Sequence, residues 1–149
     1  MNKDITVDSI SDPDVPPYQD TISVGDCSVP CSATPDAYEI DDTKTDKRGK
    51  PWDQVFGWVA CGSYPYAVID SPKHGKCISI NNGGQVPTRN PDYTNGGAMY
   101  ATAVEVHCGF SAHWQGSRAC ITVHPDHWAE FISQFELGDT GTITIQEVA

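Results

Sequence analysis

The chain has 149 residues, the size of one domain and long enough to bury a core without metal or disulfide staples. Its net charge is −11, with 11 acidic and 5 basic side chains in the first fifty residues and 9 and 4 in the rest. Negative charge on both halves repels phosphate backbones and excludes nucleic acid as the expected partner; its simplest role is solubility. The sequence contains no run of 18 apolar residues, so no membrane span is expected.

Met1 to Ile10 alternates polar and apolar residues and lacks the apolar segment of a signal peptide. Synthesis in a cytoplasm is expected, and any work outside that cell would then need lysis, a virion or a secretion machine for delivery. The six cysteines make an even count, but without an export signal a disulfide framework is not expected. Cys27 and Cys31 have C-x3-C spacing and no second pair follows, which argues against a two-pair zinc site.

Residues 1–50 are rich in Asp, Ser, Thr and Pro. They read as an acidic, loop-rich N-terminal arm with one or two strands, of which 20–24 is a candidate edge strand. From Trp52 the chain turns apolar and aromatic, and 51–149 reads as the catalytic unit. Tyr64–Ile69 and Lys76–Ile80 predict strands, the second ending at the turn signal Asn81-Asn82-Gly83-Gly84. Residues 85–97 read as a long Gly/Asn/Pro loop, a length that favours function. In 101–107, Val104 and Val106 share one strand face while Ala103, Glu105 and His107 share the other. A short strand over 119–123 follows. Pro125 to Phe135 predicts a helix, with Pro125 in its first turn, Asp126 at its positive end, and Trp128, Phe131, Ile132 and Phe135 on one stripe. Residues 140–148 predict a last strand. The fold class is mostly β with one short C-terminal helix.

The stretch from Val104 to Val123 carries the chemistry. A histidine, His107, ends one strand, and a cysteine, Cys120, starts the next. If the two strands pair, imidazole and thiol can meet, as a thiol nucleophile and its base require. The imidazole takes the proton that a thiol of ordinary pKa, about 8.5, keeps at neutral pH, and holds the thiolate as an ion pair. The oxyanion formed on attack needs preorganised donors, for which the backbone N–H groups of Arg118, Ala119 and Cys120 are candidates.

His107-Cys108-Gly109, Ser117-Arg118-Ala119-Cys120-Ile121, and Gly138 with Gly141-Thr142-Ile143-Thr144-Ile145 after a short helix together resemble the YkuD-type L,D-transpeptidase family. The resemblance covers roughly residues 100–146 and none of 1–50. It implies a β-sandwich or barrel-like fold and an acyl-enzyme on Cys120, with His107 and Ser117 as the other catalytic residues. Arg118, Ala119, Gly109, Trp114 and Tyr100 would bind substrate. The implied substrates are peptidoglycan stem peptides: an amine acceptor gives a cross-link, water gives cleavage. It implies no metal and no cofactor. Three departures stand out. Ala119 replaces a glycine, Thr122 replaces an arginine whose charge Arg118 would have to supply, and the His107–Ser117 loop is short, which favours hydrolysis of polymeric wall.

Each residue also has a plainer reading. Cys120 could be a core cysteine and His107 a structural histidine; it is the pairing that favours chemistry. Cys108 is a rival nucleophile, but as a strand neighbour of His107 it points to the opposite face. His124, His127, His113 and Asp126 could hold a metal, with capping and surface roles as the alternative. Trp114 is a substrate platform or a loop anchor, and Asn82 and Arg89 could line the cleft. The second function class is a non-catalytic virion or cell-wall-binding module that keeps the fold. A third is a thiol protease or amidase acting on protein. For an enzyme, a bacteriophage endolysin or a delivered antibacterial effector with an immunity partner fits the missing leader better than a self-exported wall enzyme.

Overall fold

The computed structural model describes residues 3–10, 17–33, 58–89, 100–110 and 120–148. They form eleven strands and one α-helix. The strands are β1 (Ile5–Ser9), β2 (Asp20–Val24), β3 (Cys27–Ser32), β4 (Trp58–Val59), β5 (Gly62–Ser71), β6 (Gly75–Ile80), β7 (Val86–Arg89), β8 (Tyr100–Ala101), β9 (Glu105–Cys108), β10 (Ile121–Val123) and β11 (Thr140–Glu147), and the helix is α1 (Pro125–Ile132). Eight strands close into a barrel in the order β1-β11-β5-β6-β9-β10-β3-β2, and β4, β7 and β8 make a separate three-stranded sheet. The mostly β class with one short helix is what the alternating sequence pattern leads one to expect.

Alternation explains the core. In β1 and β2 every second residue is buried. Val7, Ile22, Ile78, Val106, Ile121, Val123 and Ile143 are fully enclosed. A closed sheet leaves no row of unpaired backbone groups at its edges. The pairings β1/β11 and β9/β10 are parallel; the other barrel pairs are antiparallel.

The first fifty residues do more than lead in. β1, β2 and β3 are three of the eight staves, with β1 set between β2 and β11 and β3 beside β10. A boundary at residue 50 therefore does not divide the barrel into an arm and a separate unit. The candidate strand over 20–24 is β2, but it lies within the closed barrel and not at an edge. Its first residue, Asp20, is buried at 4% exposure on a core-facing position, where a carboxylate is costly without partners. Its two oxygens accept the backbone N–H groups of Ile10 and Ala33, each at 2.8 Å, and so tie together the ends of β1 and β3.

In α1 the side chain of His124 caps the N-terminus by accepting the N–H of Asp126 at 3.0 Å. The helix ends at Ile132, three residues before the stripe does, because its last turn tightens: Gln134 and Phe135 bond to carbonyls three residues back. Phe135 still packs inward, 5.4 Å from Phe131 and edge-on to Tyr66 at 6.1 Å. Trp128 is partly buried against the core. The region 85–97, read as a loop, contains β7 within its described part.

Asp20→Ala strips the buried N–H of Ala33 and the part-buried N–H of Ile10 of their acceptor. The expected loss is about 2–4 kcal/mol in urea unfolding; a loss under about 0.5 kcal/mol would mean that the carboxylate does not hold the barrel rim.

Candidate active site

Parallel pairing of β9 with β10 sets Val106 beside Ile121 and His107 beside Thr122. Val106 and Ile121 point into the core, so His107 lies on the outer face. One step back in the same register, Cys120 comes beside Glu105, on that same face. His107 and Cys120 are thus diagonal neighbours across two strands, with backbones about 7–8 Å apart, a span that an imidazole can bridge. Because the strands run parallel, a histidine late in one and a cysteine at the start of the other would separate if the strands were long. At four and three residues, they do not.

His107 is buried, 5% exposed. Its Nδ1 lies 2.8 Å from the carbonyl oxygen of Cys108. A carbonyl can only accept, so Nδ1 carries the proton and Nε2 keeps its lone pair, the form a base needs. Burial pushes the imidazole down to about 4, against the partial support of the Cys108 carbonyl; His74 and Lys73 push it further down. The ring is therefore neutral at pH 7. Holding it protonated there, beside neutral thiols, would cost about 4 kcal/mol.

Cys120 is half-buried. Its Sγ accepts the backbone N–H of Glu105 at 3.3 Å and approaches the carbonyl oxygen of Ala103 at 3.9 Å. An N–H aimed at sulfur favours negative charge there. Among the described residues no hydrogen bond links the sulfur to the ring of His107. Ala103 adopts φ +54, a left-handed conformation uncommon for a residue with a side chain, and its N–H is held by the Gly83 carbonyl at 3.1 Å. This strained bend turns its carbonyl toward the thiol.

Cys108 is partly buried, and burial raises its thiol pKa; it faces away from His107. Cys77, fully buried on β6, falls opposite His107 when the β6/β9 register is extended by one residue. Burial, the Glu105 carboxylate, which accepts its hydrogen bond, and the nearby Cys120 and Asp70 push it up to about 12, so it stays a thiol. No disulfide joins any of the six cysteines. Cys31 is fully buried, its thiol pKa raised well above the ordinary value by burial and by Asp20 and Asp8.

Gly109 is buried, and a methyl on its Cα would overlap the hydroxyl of Tyr18. Glycine is required there for the packing of an N-terminal tyrosine against the turn that follows His107. Tyr18 is itself fixed, its N–H donating to Ser32 Oγ at 2.6 Å and its ring 4.8 Å from that of His124. Tyr100 is 53% exposed on β8. Asn82 is exposed on the turn after β6. His113, Trp114, Ser117, Arg118 and Ala119 lie outside the described residues. His124 serves as the helix cap, and His127 sits 3.7 Å from Glu130 one turn on. Among the described residues no group of three His, Cys, Asp or Glu side chains could hold a metal ion.

Three neighbours escaped the sequence reading as parts of the site: His74, Tyr18 and the bend at Ala103. Glu105 had a signal, since it shares a strand face with His107; the alternation extends that face to Ala103, but the strand begins at Glu105 and Ala103 bends before it. His74 and Tyr18 come from a turn and from a distant segment, and no local pattern marks them.

No family model matches the chain. No curated protein gives a significant match. Among solved structures, that of Mycobacterium tuberculosis L,D-transpeptidase 1 aligns at a TM-score of 0.38 and 16% identity, over 97% of this chain and 62% of that one. The chain thus spans less than two thirds of that protein's length, and a likeness at this score establishes neither fold nor activity.

The low affinity of His107 for a proton has a measurable effect on stability. The unfolded chain takes up a proton near pH 6.5 and the folded one only near 4, so between these values stability rises with pH and falls on acidification. The expected contribution lost between pH 7 and pH 4 is on the order of 3 kcal/mol. Urea unfolding across that window should show a shallower pH slope in His107→Gln than in the parent; equal slopes would contradict the buried neutral ring.

Proposed function

We propose that this protein is a cysteine-dependent acyl-transfer enzyme acting on peptidoglycan stem peptides, with Cys120 as nucleophile and His107 as base. The observation that carries the reading is the tautomer lock. A neutral imidazole with Nδ1 tied to the Cys108 carbonyl keeps its basic Nε2 on the strand face that bears the Cys120 sulfur. A base oriented by a third group beside a nucleophile is the recurring arrangement of covalent catalysis. The substrate class comes from the motif resemblance over residues 100–146.

In the proposed reaction the Cys120 proton passes to His107 Nε2 as the sulfur attacks the carbonyl carbon. The tetrahedral oxyanion is met by backbone N–H groups of Arg118, Ala119 and Cys120, with Ser117 as the third catalytic residue and Arg118 supplying positive charge. Collapse breaks the C–N bond, and His107 returns its proton to the leaving amine. The thioester then passes its acyl group to water or to an acceptor amine, with His107 again as base. Gly109, Trp114 and Tyr100 are assigned to the substrate cleft. Gly109 acts there through the turn it shapes, since Tyr18 covers its Cα. The wall as the place of action, and delivery by a phage or a secretion machine, complete the proposal.

The second reading, a non-catalytic wall-binding or virion module, draws on one observation: the Cys120 sulfur accepts the Glu105 N–H and approaches the Ala103 carbonyl, contacts that a structural cysteine would also make. Catalytic hydrogen bonds often tighten only when substrate binds, so the two readings separate by experiment.

Sacculi incubated with the protein should release fragments detectable by mass spectrometry, with release reduced roughly a thousandfold or more in Cys120→Ser and retained in Cys108→Ser. New cross-links without fragments would replace hydrolysis by transpeptidation. Neither product, together with no preferential labelling of Cys120 by a carbapenem, would leave the binding module.

A further inference from the structure

His74 lies outside every motif of the proposed site, yet its ring stacks on that of His107 with centroids 3.8 Å apart and planes within 6°. Its place is fixed by the turn between β5 and β6. Ser71 pairs with Gly75, leaving a three-residue loop of Pro72, Lys73 and His74. Ser71 Oγ accepts the N–H groups of Lys73 and His74, each at 3.3 Å, and Gly75 closes the loop at φ +68, where glycine carries no penalty. His74 Nε2 then sits 3.8 Å from Glu105 Oε1. Glu105 is also the residue whose backbone N–H points at the Cys120 sulfur. One residue thus touches the nucleophile through its backbone and, through its side chain, the ring stacked on the base.

We infer that His74 is a positioning residue for the reaction proposed above: it clamps the His107 ring, and its pairing with Glu105 sets how readily that ring takes the proton of Cys120. The inference rests on the assignment of His107 as base.

Geometry supports the clamp. The ring of His107 is held at Cα by β9, at Nδ1 by the Cys108 carbonyl and on one face by His74, which leaves Nε2 as the nitrogen for chemistry. Charge supports the second half. Cations near His107 come from the turn, as Lys73 and protonated His74; the anion Glu105 comes from its own strand. The other titratable neighbours are the cysteines: Cys77 on β6 and Cys108 on β9, whose thiol pKa values burial raises, and Cys120 before β10. Two rings in face contact cannot easily both carry a proton. Positive charge on the His74 ring, beside Glu105, opposes a proton on His107.

Two variants separate clamp, charge and mere packing. His74→Phe keeps a flat ring on His107 and removes the charge; His74→Ala removes both. In the full chain, NMR titration of the His107 ring should show its midpoint rising by about half a pH unit or more in His74→Phe. The acid limb of carbapenem acylation at Cys120 should shift with it. In His74→Ala the ring-nitrogen signals should lose the single Nδ1–H tautomer, and acylation at the optimum should fall at least about tenfold. An unchanged His107 midpoint in His74→Phe and an unchanged tautomer in His74→Ala would overturn the inference. Because these NMR readouts need no turnover, they are independent of the catalytic reading. Failure of the parent to acylate at Cys120 would instead overturn that reading.

Discussion

Insertion of β1 between β2 and β11 is the constraint on which the rest of the molecule depends. That strand is five residues long, and it converts an open sheet into a closed one. Closure lets Val106, Ile121 and Val123 bury themselves completely, and their burial fixes the opposite faces of β9 and β10 as the ones that carry His107 and Cys120. A slip of one residue in the β9/β10 register would exchange faces and separate them. The candidate chemistry thus depends on hydrogen bonding at the far side of the barrel as well as on its own residues.

How much of this the amino-acid order reveals depends on the range of each interaction. The strands over 64–69, 76–80 and 140–148 and the start of α1 follow from period-2 and period-3.6 patterns, and the structure has them within a few residues. The inward face of Val104 and Val106, and the shared face of Glu105 and His107, follow from alternation alone. The role of 1–50 does not. The alternation over 20–24 marks β2, but Asp8 and Pro30 disguise the other two staves as loop, and a buried carboxylate at Asp20 looks destabilising until the amides of Ile10 and Ala33 are known to meet it. The parallel sense of β9 against β10 is also invisible locally. The stacked His74, the tyrosine over Gly109 and the left-handed Ala103 come from turns or from residues distant in sequence, where no periodicity operates.

The site shows a tension between order and basicity. Burying His107 fixes its tautomer and its ring plane, and the same burial makes it a weak base. The neutral ring is the form expected beside neutral thiols. In the proposed reaction it would take its proton as charge leaves the sulfur for the substrate. The N–H of Glu105 at the sulfur and the tightly packed surroundings of the ring would suit that role, since neither has to reorganise.

The tyrosine packed on Gly109 bears on how such a chain can be cut or recombined. Tyr18 reaches the turn after His107 from a segment that also supplies three staves, so a fragment starting near residue 51 would lose barrel closure and the packing behind the base together. It would expose the flanks of β10 and β11 to self-association. Shuffling the two halves among relatives would therefore demand that the residue at 18 and the glycine at 109 travel as a matched pair.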